Sequence, residues 1–340
     1  MAIALVAIFC LVLSWAITLG VRSYAIRVNL LDHPNARSSH TTATARGGGL
    51  AIVVTFIMGT LTLRWMFPAV HDLLVALLPG ACVVAVVGWW DDRRSLPARW
   101  RFLAHVAAAT WALWSMQGVP PVPIFGKEIN FGWLGIALAW TYLVWMINLC
   151  NFMDGIDGIA GIEALTVSLG GGLCWWLATS TPLWPVALVF SACVTGFLLL
   201  NFPPAKIFLG DVGSGFIGLV VGTLSLWSAQ QASQVFWCWL ILLGCFMVDA
   251  TTTLIRRVRR GEKFYEPHRS HAYQYASRLH RSHRTVTLAV GVINVAWLLP
   301  VALLVAMRRL DGAVGTLIAY APLVWLAYRY KAGNRAAQAA

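Results

Sequence analysis

The feature that most restricts this chain is the length of its uncharged runs. Residues 2–21 contain no charged side chain, and stretches of similar character recur to the end. About 20 mainly apolar residues cross the hydrocarbon core of a bilayer as one helix. Windows of that length divide the chain into eleven spans, near 2–21, 47–66, 73–90, 102–117, 132–150, 160–178, 183–200, 213–230, 235–255, 287–307 and 312–329. The expected fold is all-α: a polytopic integral membrane protein with about eleven transmembrane helices. Composition agrees. Of 340 residues 59% are hydrophobic and 11% charged, less than half the roughly 25% of a soluble domain. That excludes a water-soluble enzyme, a disordered chain and a nucleic-acid binder. The first span follows no basic residue and carries no small-residue cleavage site, so it reads as a retained helix.

The net charge of +12 then reports sidedness, because cytoplasmic loops collect Lys and Arg. Of the 25 basic residues, 21 fall in alternate loops, beginning with Arg22, Arg27, Arg37 and Arg46, and in the tail. Only Arg64, Lys127, Arg308 and Arg309 fall on the other side. The N-terminus is expected outside and the C-terminus in the cytoplasm. Residues 1–330 read as a single transmembrane catalytic domain and 331–340 as a short cytoplasmic tail, with no internal repeat. The seven cysteines lie in or at the ends of apolar spans without metal-ligand spacing and read as small core residues.

Scarce charge makes the acids informative. Ten of the 13 fall on the expected cytoplasmic face, and Asp72, Glu128 and Asp311 face outward. For Asp32, Glu262 and Glu266 a solvated charge explains as much as a site does. The others abut or enter apolar helices, where ionisable groups are costly and usually functional. Asp91 and Asp92 follow a Gly-Trp-Trp at the end of span 3. Adjacent carboxylates repel, so they persist where a cation or substrate proton shares them; the alternative is pairing with Arg93, Arg94 and Arg99. Asn148, Asn151, Asp154 and Asp157 leave span 5 on a segment whose glycines let it bend. Together they suit a polar ligand or, alternatively, cap a plain loop.

The segment from Asn201 through Phe208, Gly210 and Asp211 to Ser214 enters span 8, whose N-terminus lies on the cytoplasmic side by this topology. Backbone amides there can approach phosphate oxygens while Asp211 holds a divalent cation. Arg46 with three following glycines opens span 2 in the same way, and Arg99 and Arg101 flank the start of span 4. This combination describes a pyrophosphate and Mg²⁺ site. Ser214 lacks the spacing of a hydrolase nucleophile. In the last cytoplasmic loop, His268, Arg269 and His271 read as cationic contacts to a negative substrate; zinc is a weaker fit with no cysteine nearby. The Arg256, Arg257, Arg259 and Arg260 cluster reads equally well as a face for anionic lipid headgroups. Neither a Walker A nor a dinucleotide fingerprint occurs.

The ordered motifs, Asp-Asp after span 3, NxxNxxDGxDG after span 5, NxPPAxxFxGDxGSG into span 8 and a His/Arg loop after span 9, resemble the polyprenyl-phosphate N-acetylamino-sugar-1-phosphate transferases. That superfamily includes the enzymes initiating O-antigen and enterobacterial common antigen, and is related to the phospho-MurNAc-pentapeptide transferase. The resemblance covers about residues 30–283. It implies transfer of a sugar 1-phosphate from a UDP-N-acetylamino sugar (UDP-GlcNAc, UDP-FucNAc or UDP-QuiNAc type) to undecaprenyl phosphate, releasing UMP. It further implies a bacterial inner-membrane enzyme with its site on the cytoplasmic face, using Mg²⁺ with Mn²⁺ as a substitute, embedded in lipid and compatible with a homodimer. By resemblance Asp91 prepares the lipid phosphate, Asp92 supports it, and Asp211 ligates Mg²⁺. Asp154, Asp157 and Asn201 line the uridine and phosphate pocket, Phe208 stacks on uracil, and His268, Arg269 and His271 contact the pyrophosphate or sugar. The chain departs from the family's H-x-H-H ending with His271-Ala-Tyr273-Gln274. That departure points to the branch handling 6-deoxy sugars. A transporter of a phosphorylated substrate is the rival reading; it should scatter its charges near the membrane midplane, not gather them on one face.

Overall fold

A computed structural model describes residues 1–34, 42–262 and 268–334. Arg37, Glu266 and the tail beyond 334 lie outside the described residues. The described residues fold into fourteen helices: α1 (Ala2–Arg27), α2 (Gly49–Met66), α3 (Val70–Arg93), α4 (Ala98–Ser115), α5 (Gly132–Met153), α6 (Ile159–Ala178), α7 (Pro185–Asn201), α8 (Asp211–Gln231), α9 (Val235–Leu242), α10 (Gly244–Arg259), α11 (Ala272–Leu279), α12 (His283–Ile293), α13 (Leu299–Ala306) and α14 (Gly312–Arg329). A π-helical turn at Asn294–Leu298 joins α12 to α13.

Every apolar run is helical, as an uncharged segment in lipid must be to pair its own backbone. Among the described residues seven helical runs are long and apolar enough to cross a membrane: α1, α2, α3, α5, α6, α8 and the continuous His283–Ala306. The ninth run is broken. Helices α9 and α10 meet at a 68° bend, and counting them as one span brings the number to eight. Apolar side chains such as Leu5, Ile8, Phe9 and Val12 on α1 are exposed, as on a lipid-facing surface. The chain is a multi-pass membrane protein. Two small antiparallel ribbons were not expected from hydropathy: β1 (Leu31–Asp32) with β2 (Thr44–Ala45), and β3 (Val122–Ile124) with β4 (Lys127–Ile129). Nor is every cysteine in the core: Cys82 is exposed on α3.

Helix α8 is the axis of the bundle. Nearly all its residues are buried, with α3, α5 and α2 against it. Small residues let backbones approach closely where lipid removes the hydrophobic drive to associate. At Gly88 of α3 an added Cβ would strike the Asp211 carbonyl, and at Gly218 of α8 it would strike the Met146 carbonyl. These contacts bring the C-terminal ends of α3 and α5 against the N-terminus of α8. Strand β2 extends the same cluster: the Phe208 N–H donates to the Ala45 carbonyl at 2.8 Å, and the Gly48 N–H donates to the Phe208 carbonyl at 2.9 Å. Thus Arg46 is delivered to the same end of the bundle.

Candidate active site

The centre is assembled on the first turn of α8. Gly210 precedes it with φ +76° and no room for a Cβ, which would lie 2.5 Å from Asp92 Oδ2. This lets the Asp92 carboxylate, at the end of α3, reach over the helix terminus. Its Oδ1 accepts the Asp211 N–H at 2.8 Å and its Oδ2 accepts the Val212 N–H at 3.1 Å. Arg46 Nε completes its shell at 2.7 Å. The side chain has 0% exposure, so Asp92 caps α8 and positions Arg46; it does not reach a ligand.

Asp91 faces the other way. Its Oδ1 accepts the Leu96 N–H at 2.5 Å and its Oδ2 accepts Arg101 Nη1 at 2.8 Å. The same Arg101 nitrogen lies 4.0 Å from Asp211 Oδ2, so the guanidinium bridges the two carboxylates. Asp211 accepts Asn151 Nδ2 at 2.6 Å on Oδ1 and Arg46 Nη2 at 3.2 Å on Oδ2. Asn151 Nδ2 also donates to Ser214 Oγ at 3.1 Å. Asp211, 19% exposed against 7% for Asp91, is the more open of the two.

Pairing with the sequence-adjacent arginines does not occur. Arg93 lies over the Trp89 ring and donates to Tyr24 Oη at 2.7 Å, while Arg99 lies over Trp100. The cations on the acids are Arg46 and Arg101, from two other elements.

Asp154 follows α5 directly and is half-buried. Its carboxylate accepts no hydrogen bond among the described residues. Removal from water, with the Asp211 charge adding to it, pushes its pKa up to about 7. A carboxyl without a donor beside another carboxylate is short of positive charge. The donor chemistry, oxygen only, suits a hard divalent cation, although no cluster of three or more His, Cys, Asp or Glu with metal-binding geometry occurs among the described residues. Mg²⁺ commonly takes one or two protein carboxylates and completes its shell with water and substrate phosphate, and Asp211 with Asp154 fits that mode.

Other expected site residues are engaged elsewhere. Asn148 Nδ2 donates to Val144 O at 2.7 Å in its own helix, and Asn201 Nδ2 donates to Ile207 O at 2.9 Å, closing the proline loop from a buried position. Asp157 ties that loop to α12: Oδ2 accepts the Ala205 N–H at 3.1 Å, and Oδ1 lies 3.3 Å from His283 Nδ1. Phe208 is half-buried, its backbone held in the pairing with β2. Glu163 is buried in α6, where Oε2 accepts Asn294 Nδ2 at 2.7 Å, away from the centre.

The His/Arg loop is organised by Asp249, a residue not singled out from the sequence. Its carboxylate accepts the Ala272 and Tyr273 N–H groups at 2.9 and 3.0 Å, capping α11 from α10 much as Asp92 caps α8. His271 Nδ1 lies 3.3 Å from it, and His271 is only 4% exposed. His271 therefore supports the loop and does not contact a ligand. His268 is held near a pKa of about 3 by desolvation and the adjacent His271. That shift disfavours the cationic contact expected of it. The departure at Tyr273 and Gln274 has a structural reason. Tyr273 Oη donates to Phe152 O at 3.1 Å, and both side chains fill the space over Gly155, beside Asp154.

The sequence relationships match this geometry. Residues 74–229, which include Asp91, Asp154 and Asp211, match the model of glycosyl transferase family 4. A Bacillus subtilis protein named a probable undecaprenyl-phosphate N-acetylglucosaminyl 1-phosphate transferase is 30% identical, covering 82% of this chain and 78% of its own. The decaprenyl-phosphate N-acetylglucosaminephosphotransferase of Mycobacterium tuberculosis is 29% identical, over 85% and 79%. An undecaprenyl-phosphate alpha-N-acetylglucosaminyl 1-phosphate transferase of Salmonella typhi is 28% identical, over 80% and 77%.

Proposed function

Since this chain belongs to the polyprenyl-phosphate sugar-phosphate transferase superfamily, we propose that it transfers an N-acetylamino-sugar 1-phosphate from a UDP-sugar to undecaprenyl phosphate. The observation that carries this reading is the convergence of Asp91, Asp154 and Asp211 with Arg46 and Arg101 at the N-terminus of α8. An acceptor phosphate oxygen forms a bond to the sugar-side phosphorus of the donor, the bridging P–O bond breaks, and UMP leaves. The protein's task is to position two anions and balance their charge.

Each residue has a part in that task. Asp91, fixed by Leu96 N–H and Arg101, orients the acceptor phosphate and takes its proton if it arrives protonated. Arg46 and Arg101 swing between carboxylate and phosphate oxygens, which guanidinium forks match well. Asp211, with Asp154 beside it, would hold Mg²⁺. A bound Mg²⁺ supplies charge neutralisation of the pyrophosphate oxygens. Asp92 and Asn151 position Arg46 and Asp211. The product, a lipid-linked pyrophosphate sugar, fits the start of O-antigen or a related surface glycan at the cytoplasmic face of a bacterial inner membrane. The relatives are named for N-acetylglucosamine, while the divergence at Tyr273 and Gln274 keeps UDP-FucNAc and UDP-QuiNAc in the donor panel.

The test is release of UMP from that panel by purified protein with undecaprenyl phosphate and Mg²⁺. Turnover with at least one sugar, abolished in Asp211→Ala, is expected. No UMP from any donor, or full activity in Asp211→Ala, would overturn the proposal.

A further inference from the structure

Helix α14 ends in a packed turn. The Lys331 N–H donates to the Tyr328 carbonyl at 3.1 Å and the Ala332 N–H to the Ala327 carbonyl at 2.8 Å. Lys331 takes φ +54°, the left-handed conformation that commonly closes a helix with this pair of bonds. The closure turns the chain aside from the helix axis and onto α10. Ala332 is buried there. An added Cβ on Gly333 would lie 2.9 Å from the Thr253 carbonyl, so the backbone of the turn rests directly on that of α10.

Three neighbours grip this turn. From α10, Arg256 lies over the Tyr328 ring, 4.1 Å from its centroid, and its Nη1 donates to the Ala332 carbonyl at 2.8 Å. From α11 and its end, the Tyr275 ring lies 5.1 Å from Lys331 Nζ, and His280 Nε2 lies 3.2 Å from Tyr330 Oη. From the His/Arg loop, the Ser270 carbonyl accepts the Gly333 N–H at 2.6 Å. Ser270 is buried between Arg269 and His271, and its Oγ lies 3.0 Å from His268 Nδ1.

Helix α11 has eight residues, short of the roughly 12–15 below which a helix is marginal by itself. Contacts from outside therefore set its place. Asp249 caps its first turn, and the C-terminal turn holds the chain on both sides of it, at Ser270 before and His280 after. The helix in turn carries Tyr273, whose Oη donates to Phe152 O and fills the space over Gly155, beside Asp154. We propose that the C-terminal turn, Tyr330–Gly333, is a positioning element of the active site. By holding α11 at both ends it fixes Tyr273 over the Asp154 loop. Its effect on turnover rests on the proposed transfer, with Asp154 in the cation site that receives the UDP-sugar pyrophosphate.

The experiment compares wild type with chains ending at Tyr330 and at Asn334, and with Arg256→Met in the full-length chain. All are studied in nanodiscs, well below the thermal midpoint of the weakest. Hydrogen–deuterium exchange across the His/Arg loop and α11 reports the hold directly. Loss of the turn should speed exchange there about tenfold and leave the core of α8 unchanged. Arg256→Met should act in the same direction to a smaller extent. The UDP-sugar KM should rise about fivefold while the undecaprenyl-phosphate KM stays within about twofold. The chain ending at Asn334, which keeps the turn, should match wild type in both readouts. Unchanged exchange in α11 once the turn is removed overturns the proposal. So does a rise in neither KM or in both alike, and so does equal loosening in the chain ending at Asn334. If wild type releases no UMP from any donor, the transfer reading falls, and the exchange comparison still decides whether the turn holds α11.

Discussion

At the scale of single residues, adjacent carboxylates have separate duties. Asp92 is fully buried, caps two amides and balances Arg46; removing its charge weakens both amide contacts and leaves Arg46 with Asp211 alone. Hydrogen bonds to a charged group contribute about 1.5–3 kcal/mol, so Asp92→Asn should lower the thermal midpoint. Asp91→Asn should leave the midpoint close to wild type while kcat falls about 10²–10⁴-fold and the UDP-sugar KM stays near its original value. Reversed effects in these two variants would exchange the roles. Asp154 adds a pH dependence. Its carboxyl, raised from 3.8 to about 7, keeps a proton in the folded protein that the unfolded chain releases. That contribution to stability is complete below about pH 3.8 and is lost as pH rises through about 7. A cation needs the ionised form. Mn²⁺ affinity, followed by electron paramagnetic resonance, should therefore rise as pH rises toward about 7 and level off above it. An affinity independent of pH would remove Asp154 from the cation site.

At the scale of elements, the site depends on how closely helix ends and loops approach. The Asp154 loop is held under the His/Arg loop at Gly155, where an added Cβ would strike Tyr273 Oη and lie 2.8 Å from Gln274 Nε2. Overpacking of this kind typically costs about 1–3 kcal/mol. Gly155→Ala should reduce both the thermal midpoint and kcat, and adding Tyr273→Phe should recover part of each by removing the hydroxyl. Coupling between contacting residues is commonly about 0.5–3 kcal/mol; strictly additive effects in the double-mutant cycle would show that the contact does not set the loop. Elements also explain what was legible beforehand. The apolar runs announced the helices, since run length is local information. Their hydropathy contained no sign of the bend at Leu243, because an apolar residue is equally at home on either side of it. The acids were visible as a set, yet their partners were not: Arg46 and Arg101 reach Asp92 and Asp91 only through the packing of α2, α3, α4 and α8. For the same reason Asp249, which acts on a helix 23 residues ahead, resembled a solitary acid within a span.

At the scale of the whole molecule, the proposed transfer requires that one end of the bundle face the cytoplasm, because nucleotide-activated donors are made there. The structure gathers the C-terminal ends of α3 and α5, the N-termini of α4 and α8 and the β2 strand at one end. The ribbon of β3 and β4 lies at the other, where Glu128 accepts a hydrogen bond from Ser233 at 2.8 Å. By the charge bias the first end is expected inside, and this expectation is independent of the packing, since it comes from loop composition. Orientation can be read chemically. In a Cys82→Ser background, which removes the exposed thiol, Lys127→Cys should react with a membrane-impermeant maleimide on intact spheroplasts. Arg99→Cys, beside the carboxylate centre, should react only in inside-out vesicles. If Arg99→Cys is labelled from outside, the centre faces away from cytoplasmic UDP-sugars, and the transfer proposed for this chain fails with the topology even though every distance within the site stands.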